Sequence, residues 1–256
     1  DLWRFTSAET RVLTLGELYA ENRHVQRLVR RYELYKRPEL LTSFASGHSS
    51  GGTSSGSRFL RLDTRLYSSP IAHRHRVFFT DHFEAADFAE GKGRNHRVGV
   101  GWEYRNAGLK LTLEQSLGLA DNTDPALSAT ADWQVDDHIN VSASLESLSR
   151  EVPLRGLRVG VTGRRIGFGA QYRWHESAQV SSGLGFLDFD DGNERQQINL
   201  RGSYRLIAQP HYKLRGYLDL YGSRNDRDDV AYYSPKSDFS TDITLENLWR
   251  VHRRYE

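Results

Sequence analysis

Cysteine and methionine are both absent from the 256 residues, so no disulfide, thiolate metal site or thiol nucleophile is available. With Asp1 first, no methionine and no signal-peptide pattern, the chain reads as an internal piece of a longer precursor. No apolar run is long enough to cross a bilayer as a helix, and the mean hydropathy is -0.66. That excludes helical spans and nothing more, because a strand barrel is apolar on only one face. An excess of either charge is lacking too: 35 Lys and Arg against 33 Asp and Glu leave +2. Such balance gives no reason to expect a nucleic-acid partner, which would need basic residues gathered on one face.

What the chain does contain is strict alternation. In Leu109-Lys110-Leu111-Thr112-Leu113-Glu114 the leucines point one way and Lys, Thr and Glu the other, the period of a strand with one apolar and one wet face. That segment is expected to run from Leu109 to Leu117, and others of its kind recur at Phe59 to Tyr67, Arg97 to Arg105, Leu127 to Trp133, Ile139 to Leu145, Ile166 to His175, Ile198 to Leu206, Tyr212 to Tyr221 and Phe239 to Trp249. About a dozen strands are predicted in all, an estimate from alternation and turn residues. Short turns such as Asn106-Ala107-Gly108 and Val135-Asp136-Asp137 alternate with longer polar stretches such as Asp188 to Glu194 and Ser223 to Ser237, as in an up-and-down antiparallel meander. A soluble sandwich would bury the apolar faces, whereas an outer-membrane barrel would turn them to lipid. Trp and Tyr near the strand ends, and the recurring loop asymmetry, favour a transmembrane β-barrel with a wet interior.

The first part differs in kind. Glu17 to Lys36 carries Leu18, Val25, Leu28, Val29 and Tyr32 near helical spacing and predicts one amphipathic helix, stopped by Pro38. Ser46 to Ser57 is rich in Gly and Ser and predicts a flexible loop. The expected division is therefore residues 1–37 as a helical linker or the end of a repeat region, and residues 38–256 as the barrel.

The expected wet face carries Asp63, Glu103, Glu114, Asp132, Glu146, Arg173, Asp219, Asp242 and Glu246, with Tyr67 and Tyr217 on or near it. These line the path expected for a hydrophilic solute, since sugars are held by planar hydrogen-bonding groups and aromatic rings. Catalysis finds no support. Gly91-Lys92-Gly93 and Gly160-Val161-Thr162-Gly163 lack phosphate-loop context, and no motif sets a Ser beside a His. His73 and His75 lie in a loop-like run with His82 following, where solvated charge is expected rather than a metal site. The Asn225 to Asp229 run lacks calcium-loop spacing. No cofactor, metal or catalytic residue is expected.

Several strings, in order along residues 38–256, resemble one family. They are Phe88-Ala89-Glu90-Gly91-Lys92-Gly93, Leu145 to Arg155 running into Gly160-Val161-Thr162-Gly163, Tyr232-Tyr233-Ser234-Pro235, and Leu248-Trp249 with Arg254-Tyr255-Glu256. The chain resembles the C-terminal barrel domain of the PgaA family, outer-membrane exporters of the biofilm polysaccharide poly-β-1,6-N-acetyl-D-glucosamine. The resemblance implies a sixteen-stranded barrel in the outer membrane of a Gram-negative bacterium, monomeric and surrounded by lipid. It implies a preceding periplasmic tetratricopeptide-repeat domain that engages the deacetylase PgaB, and a partly de-N-acetylated, cationic polymer. It also implies an electronegative conduit drawing on acids such as Glu146, which could equally be the structural partner of an arginine. The family continues for about four strands past Glu256, so the closing strands are expected to be missing from this chain. A general diffusion porin and a barrel hydrolase are the competing expectations.

Overall fold

The structure, a computed structural model, describes residues 5–48, 58–120 and 122–250. Two helices come first, α1 (Phe5–Leu18) and α2 (Arg23–Tyr35). The single helix expected over Glu17 to Lys36 is thus split. Asn22 takes an extended backbone (φ -76°, ψ 117°) and its side chain accepts the His24 and Val25 N–H groups, an N-cap that restarts the helix. The two helices pack as a hairpin that buries Val12 and Tyr32, and the Phe5 and Tyr35 rings stack at 3.4 Å.

Glu9 fastens this hairpin to the strands that follow. Its carboxylate accepts from Lys36 Nζ at 2.8 Å and lies 2.9 Å from His73 Nε2. Hydrogen bonds from Lys36, Tyr32 and His73, in that order, pull its pKa down to about 2 from the ordinary 4.5. A depressed carboxylate stabilises the folded arrangement above the unfolded pKa and loses that contribution as the pH falls through the folded one. The hairpin is therefore expected to detach from the His73 turn between pH 4.5 and about 2. Because the chain has no cysteine, spin labels at Leu13→Cys and Ser69→Cys report the distance uniquely. It should lengthen over that range, and a distance unchanged to the acid limit would contradict the role given to Glu9.

The strands are β1 (Glu39–His48), β2 (Arg58–Tyr67), β3 (His75–Phe88), β4 (Gly91–Arg105), β5 (Leu109–Gly118) and β6 (Pro125–Gln134). Then come β7 (Ile139–Glu146), the short helix α3 (Leu154–Arg158), β8 (Gly163–His175), β9 (Ala178–Phe189), β10 (Glu194–Ala208), β11 (Tyr212–Asn225) and β12 (Ser237–Trp249). They order sequentially from β1 to β12 in one antiparallel sheet, which does not close on itself among the described residues. All nine strands expected from alternation are present, most of them longer. β1, β3 and β9 are additional. The loop expected over Ser46 to Ser57 gives up residues 46–48 to β1, and residues 49–57 lie outside the described residues, as do Arg254-Tyr255-Glu256.

Turn chemistry sets the registers. Asn106 Oδ1 accepts from the N–H groups of Gly108 and Leu109 at 3.0 and 2.8 Å, closing β4 onto β5. Asp136 does the same for His138 and Ile139, both at 2.7 Å, and those backbone donors hold its carboxyl below the usual range. The β3–β4 hairpin turns at Ala89-Glu90 with Gly91 at φ 131°, a conformation that a side chain resists.

The chain divides into two compact units, Asp1–Ala131 with Arg150–Val161, and Asp132–Ser149 with Thr162–Glu256. In the first, facing residues across the ladders share a side, so Leu40, Leu66, Phe79 and Val100 lie on one face and Glu39, Tyr67, Phe78 and Gly101 on the other. In the second, Leu145, Ile166, Phe186 and Ile198 share the exposed apolar face, with Glu146, Arg165, Leu187 and Arg195 opposite. Aromatics collect at the strand ends beside the short turns: half-buried Trp102 stacks with Tyr104 in the first unit, and in the second exposed Tyr172 meets Trp174 edge-on and Tyr212 meets exposed Trp249. An apolar exposed face rimmed by Trp and Tyr is what a bilayer requires and what water penalises.

Candidate functional site

On the polar face of the first unit, alternation brings four of the expected residues together: Tyr67 and Asp63 on β2, Glu103 on β4 and Glu114 on β5. Glu103 lies across from Arg76 on one side and Thr112 on the other. Its carboxylate sits 3.0 Å from Arg105 Nε and 3.8 Å from Lys110 Nζ, and accepts the Tyr67 hydroxyl at 3.4 Å. Glu114 accepts from Thr80 Oγ1 at 3.0 Å and Arg65 Nη2 at 3.3 Å, and also from Arg150. Both carboxylates are almost fully buried, at 2% and 4% side-chain exposure, a burial that only paired charges tolerate.

Aromatic rings complete this wall. Phe78 is buried against Tyr67 at 5.3 Å between centroids, with the Arg65 guanidinium 4.8 Å above it. Arg76 lies between the Tyr35 and Tyr67 rings at 5.9 and 5.6 Å and donates to Glu39 at 2.7 Å. A cavity of about 490 Å³ opens there, lined by Tyr35, Leu41, Tyr67, Arg76, Glu103 and Arg105 among others. Asp63 lies farther along, 2.5 Å from His82 Nδ1, and Arg61 donates to Glu84 at 2.6 Å. His75 is a strand residue, not a loop residue as expected, His82 lies on the same strand, and His73 holds a left-handed turn position at φ 59°.

The segment between β7 and β8 folds onto this polar face, a feature that sequence reasoning missed. Val152, Leu154 and Leu157 are buried, and a Cβ at Gly93 would meet the Leu154 carbonyl at 3.0 Å. Arg155 grips Glu90 with two nitrogens at 2.5 and 3.1 Å, and Arg158 donates to the Glu90 carbonyl. The Arg155 guanidinium holds the Glu90 carboxyl below its usual range. α3 ends at Gly160, φ 87°, where the Val161 N–H returns to the Gly156 carbonyl. Arg150, reaching Glu114, ties this segment to the middle of the wall.

In the second unit, Asp219 on β11 faces Arg201 on β10 and Asp242 on β12. Arg201 grips it at 2.5 and 3.1 Å and overlies the Tyr217 ring. Tyr217 donates to Glu246 at 2.8 Å. Glu146 lies across from Arg165, and Arg173 lies across from Gln179 beside a bulge. Asp132 sits on β6 next to exposed Trp133. Thus Tyr217, Asp219, Asp242 and Glu246 form one cluster, whereas Glu146, Arg173 and Asp132 stand apart from it. A second network closes the far end: Asn193, fully buried, donates to Tyr232 and Ser234 at 3.1 and 2.9 Å and accepts the Arg227 N–H at 2.9 Å. Burial pushes the Tyr232 hydroxyl up to about 12. Among the described residues no group of three or more His, Asp or Glu is placed to hold a metal ion.

Residues 34–256 match the PgaA membrane beta barrel domain. The chain is 29% identical over 236 residues to the poly-beta-1,6-N-acetyl-D-glucosamine export protein of Escherichia coli K12, covering 91% of this chain and 29% of that protein, and matches the O157:H7 protein of the same name equally. It therefore spans less than a third of the length of these curated relatives. A solved structure described as a bacterial polysaccharide outer membrane secretin superposes with a TM-score of 0.75 at 26% identity, over 85% of this chain and 74% of that one. With exposed apolar faces, paired charges on the polar faces and a match that runs over every strand, the chain belongs to the PgaA family of membrane β-barrel domains, in the outer membrane of Gram-negative bacteria.

Proposed function

We propose that this chain forms the conducting wall through which poly-β-1,6-N-acetyl-D-glucosamine leaves the cell. The observation that supports this best is the polar face itself. Its charged groups are engaged with one another, as in Arg201 with Asp219 on neighbouring strands and Glu114 on β5 with Arg65 on β2. A sugar chain passing such a wall exchanges hydroxyl hydrogen bonds with groups that already have partners, so each contact is weak and release is fast. Conduction needs that balance of entering and leaving.

In this reading Asp63, Tyr67, Tyr217, Asp219, Asp242 and Glu246 border the polymer path. Glu103 and Glu114 serve it from beneath, as anchors for the cations above them, and Asp132, Glu146 and Arg173 border it within the second unit. The wall is passive and non-enzymatic, and the polymer is driven by its own synthesis. The helices before residue 38 are the end of a repeat domain that receives the polymer in the periplasm and engages the deacetylase PgaB. The barrel is a monomer in lipid.

The test is export in cells. The full protein is expressed in a strain that makes the polymer but lacks its exporter, and surface polymer is measured by immunoblot. Restored surface polymer is the expected result. Polymer retained in the periplasm, with the protein correctly inserted, would contradict the proposal and leave a general porin as the better reading.

A further inference from the structure

We infer that the exposed apolar face of β1 to β4 carries, at the strand ends away from the helices, a binding site for a phosphorylated glycolipid of the outer leaflet, of the lipid A class. Its phosphates meet Arg58, Lys92 and Arg94, and its acyl chains cover the apolar rows beneath. The site is on the outside of the wall and is independent of any polymer within.

The ladder registers set this face out in rows across four strands. Leu40, Leu66, Phe79 and Val100 form one row, and Phe44, Leu62, Phe83 and His96 another nearer the far ends. Beyond them come Ser46, Leu60, Ala85 and Arg94, and the last row is His48, Arg58, Asp87 and Lys92. A groove of about 670 Å³ follows the outer rows, its lining running from apolar Leu60, Phe83 and Ala85 to Arg58, Lys92 and Arg94. All three cations are exposed. Asp87 shares the lining with them and lies 3.8 Å from Lys92 Nζ. Asp81, the other acid on this face of the four strands, is deeper and sits 3.0 Å from His96 Nε2. Formal charge in the groove therefore favours an anion.

Position along the strands decides which anion the cations meet. The 119–124 connection and the Arg150–Val161 segment lie at the end that carries them, the Asn106 turn and the helices at the other. A membrane barrel keeps its short turns in the periplasm and its longer loops outside, and Trp102 with Tyr104 marks the periplasmic interface. From Tyr104 back to Arg94 β4 spans ten residues, about 34 Å at 3.4 Å per residue, or about 26 Å of depth at a tilt near 40°. The apolar band of such a barrel is about 25 Å tall, so Arg94, and Arg58 and Lys92 one row beyond, reach the headgroups of the outer leaflet. Phosphorylated glycolipid fills that leaflet in Gram-negative bacteria. Guanidinium groups match phosphate oxygens with paired N–H donors, and Lys adds a point charge. The second unit lacks this arrangement at the strand ends beside its longer connections, where Arg164 lies across from Asp188 and Asp188 across from Glu194.

The experiment titrates the full protein, folded in detergent, with bisphosphorylated lipid A and with the same lipid stripped of both phosphates, and counts bound lipid by native mass spectrometry. The variants are Arg58→Gln with Arg94→Gln, Lys92→Gln, and Arg164→Gln as a control in the second unit. A heat-dependent gel shift selects the folded form of each. The phosphorylated lipid should bind about tenfold more tightly than the stripped one, as expected for charge-assisted hydrogen bonds to phosphate. The double variant should lose that preference, Lys92→Gln should reduce it about threefold, as for an exposed point charge, and Arg164→Gln should keep it. Inorganic phosphate in large excess should leave the lipid in place, because it cannot use the apolar rows. Equal binding of the two lipids, a preference unmoved in the double variant, a loss equally large in Arg164→Gln, or displacement by inorganic phosphate would each overturn the site.

Discussion

Replacing Glu114 by alanine is expected to cost about 3–5 kcal/mol of stability, the range found when one partner of a buried charge group is removed. Its carboxylate is the shared acceptor for Thr80, Arg65 and Arg150. Without it, the Arg65 and Arg150 guanidinium groups lose the carboxylate they share, and with it the link from Arg150 to Glu114. The second consequence is functional: the Arg150–Val161 segment loses its link to Glu114 while keeping its contacts near Glu90, so the single-channel current should rise and fluctuate more. Denaturant titration in detergent, followed by tryptophan fluorescence, reads the first effect, and bilayer recording reads the second. An unchanged unfolding midpoint with an unchanged current would contradict the tie between this acid and the infolded segment.

Placing arginine on the apolar face should be nearly as costly. Phe168 on β8 is half exposed and shares its face with Ala143 and Leu184 on the neighbouring strands. In a bilayer, Phe168→Arg is expected to cost about 2–4 kcal/mol, the penalty for arginine near the midplane of a membrane barrel. On the same strand Gln171, which faces Asn140 and Ser181 on the polar side, should accept arginine with a change within about 0.5 kcal/mol, as for solvated positions. Folding yield into lipid vesicles, read by the heat-dependent gel shift of barrel proteins, compares the two. Equal yields would deny that this face meets lipid.

The distinction between faces was legible in the sequence wherever small polar residues alternate with leucine, as on β5, because a strand has a period of two and each register step moves every side chain across the sheet. It was not legible on β3. There Phe78 faces the polar side and packs under Arg65 and Tyr67, so Phe78 and Phe79 read as a continuous apolar pair and the alternation is lost. β9 escaped for a related reason, since Gly183 and Gly185 fill polar-side positions while Leu187 and Phe189 are buried on that same side. The helix break at Asn22 was a local signal, an N-cap residue within an otherwise periodic stretch, and could have been read. The infolded segment could not. Arg150 and Glu114 are 36 positions apart, and nothing in local periodicity says that a loop turns inward. For the same reason the expected acids were found as residues but not as an arrangement: Glu103 and Glu114 lie beneath the cations, which only the ladder registers and the depth of each side chain reveal.

The most direct measurement is the current through single molecules of the full protein in a planar bilayer, titrated with β-1,6-linked N-acetylglucosamine oligomers of increasing length. A polysaccharide conduit predicts stepwise, reversible block that lengthens with oligomer size, because each added sugar meets another stretch of the polar wall. An open current indifferent to these oligomers at every length would contradict it.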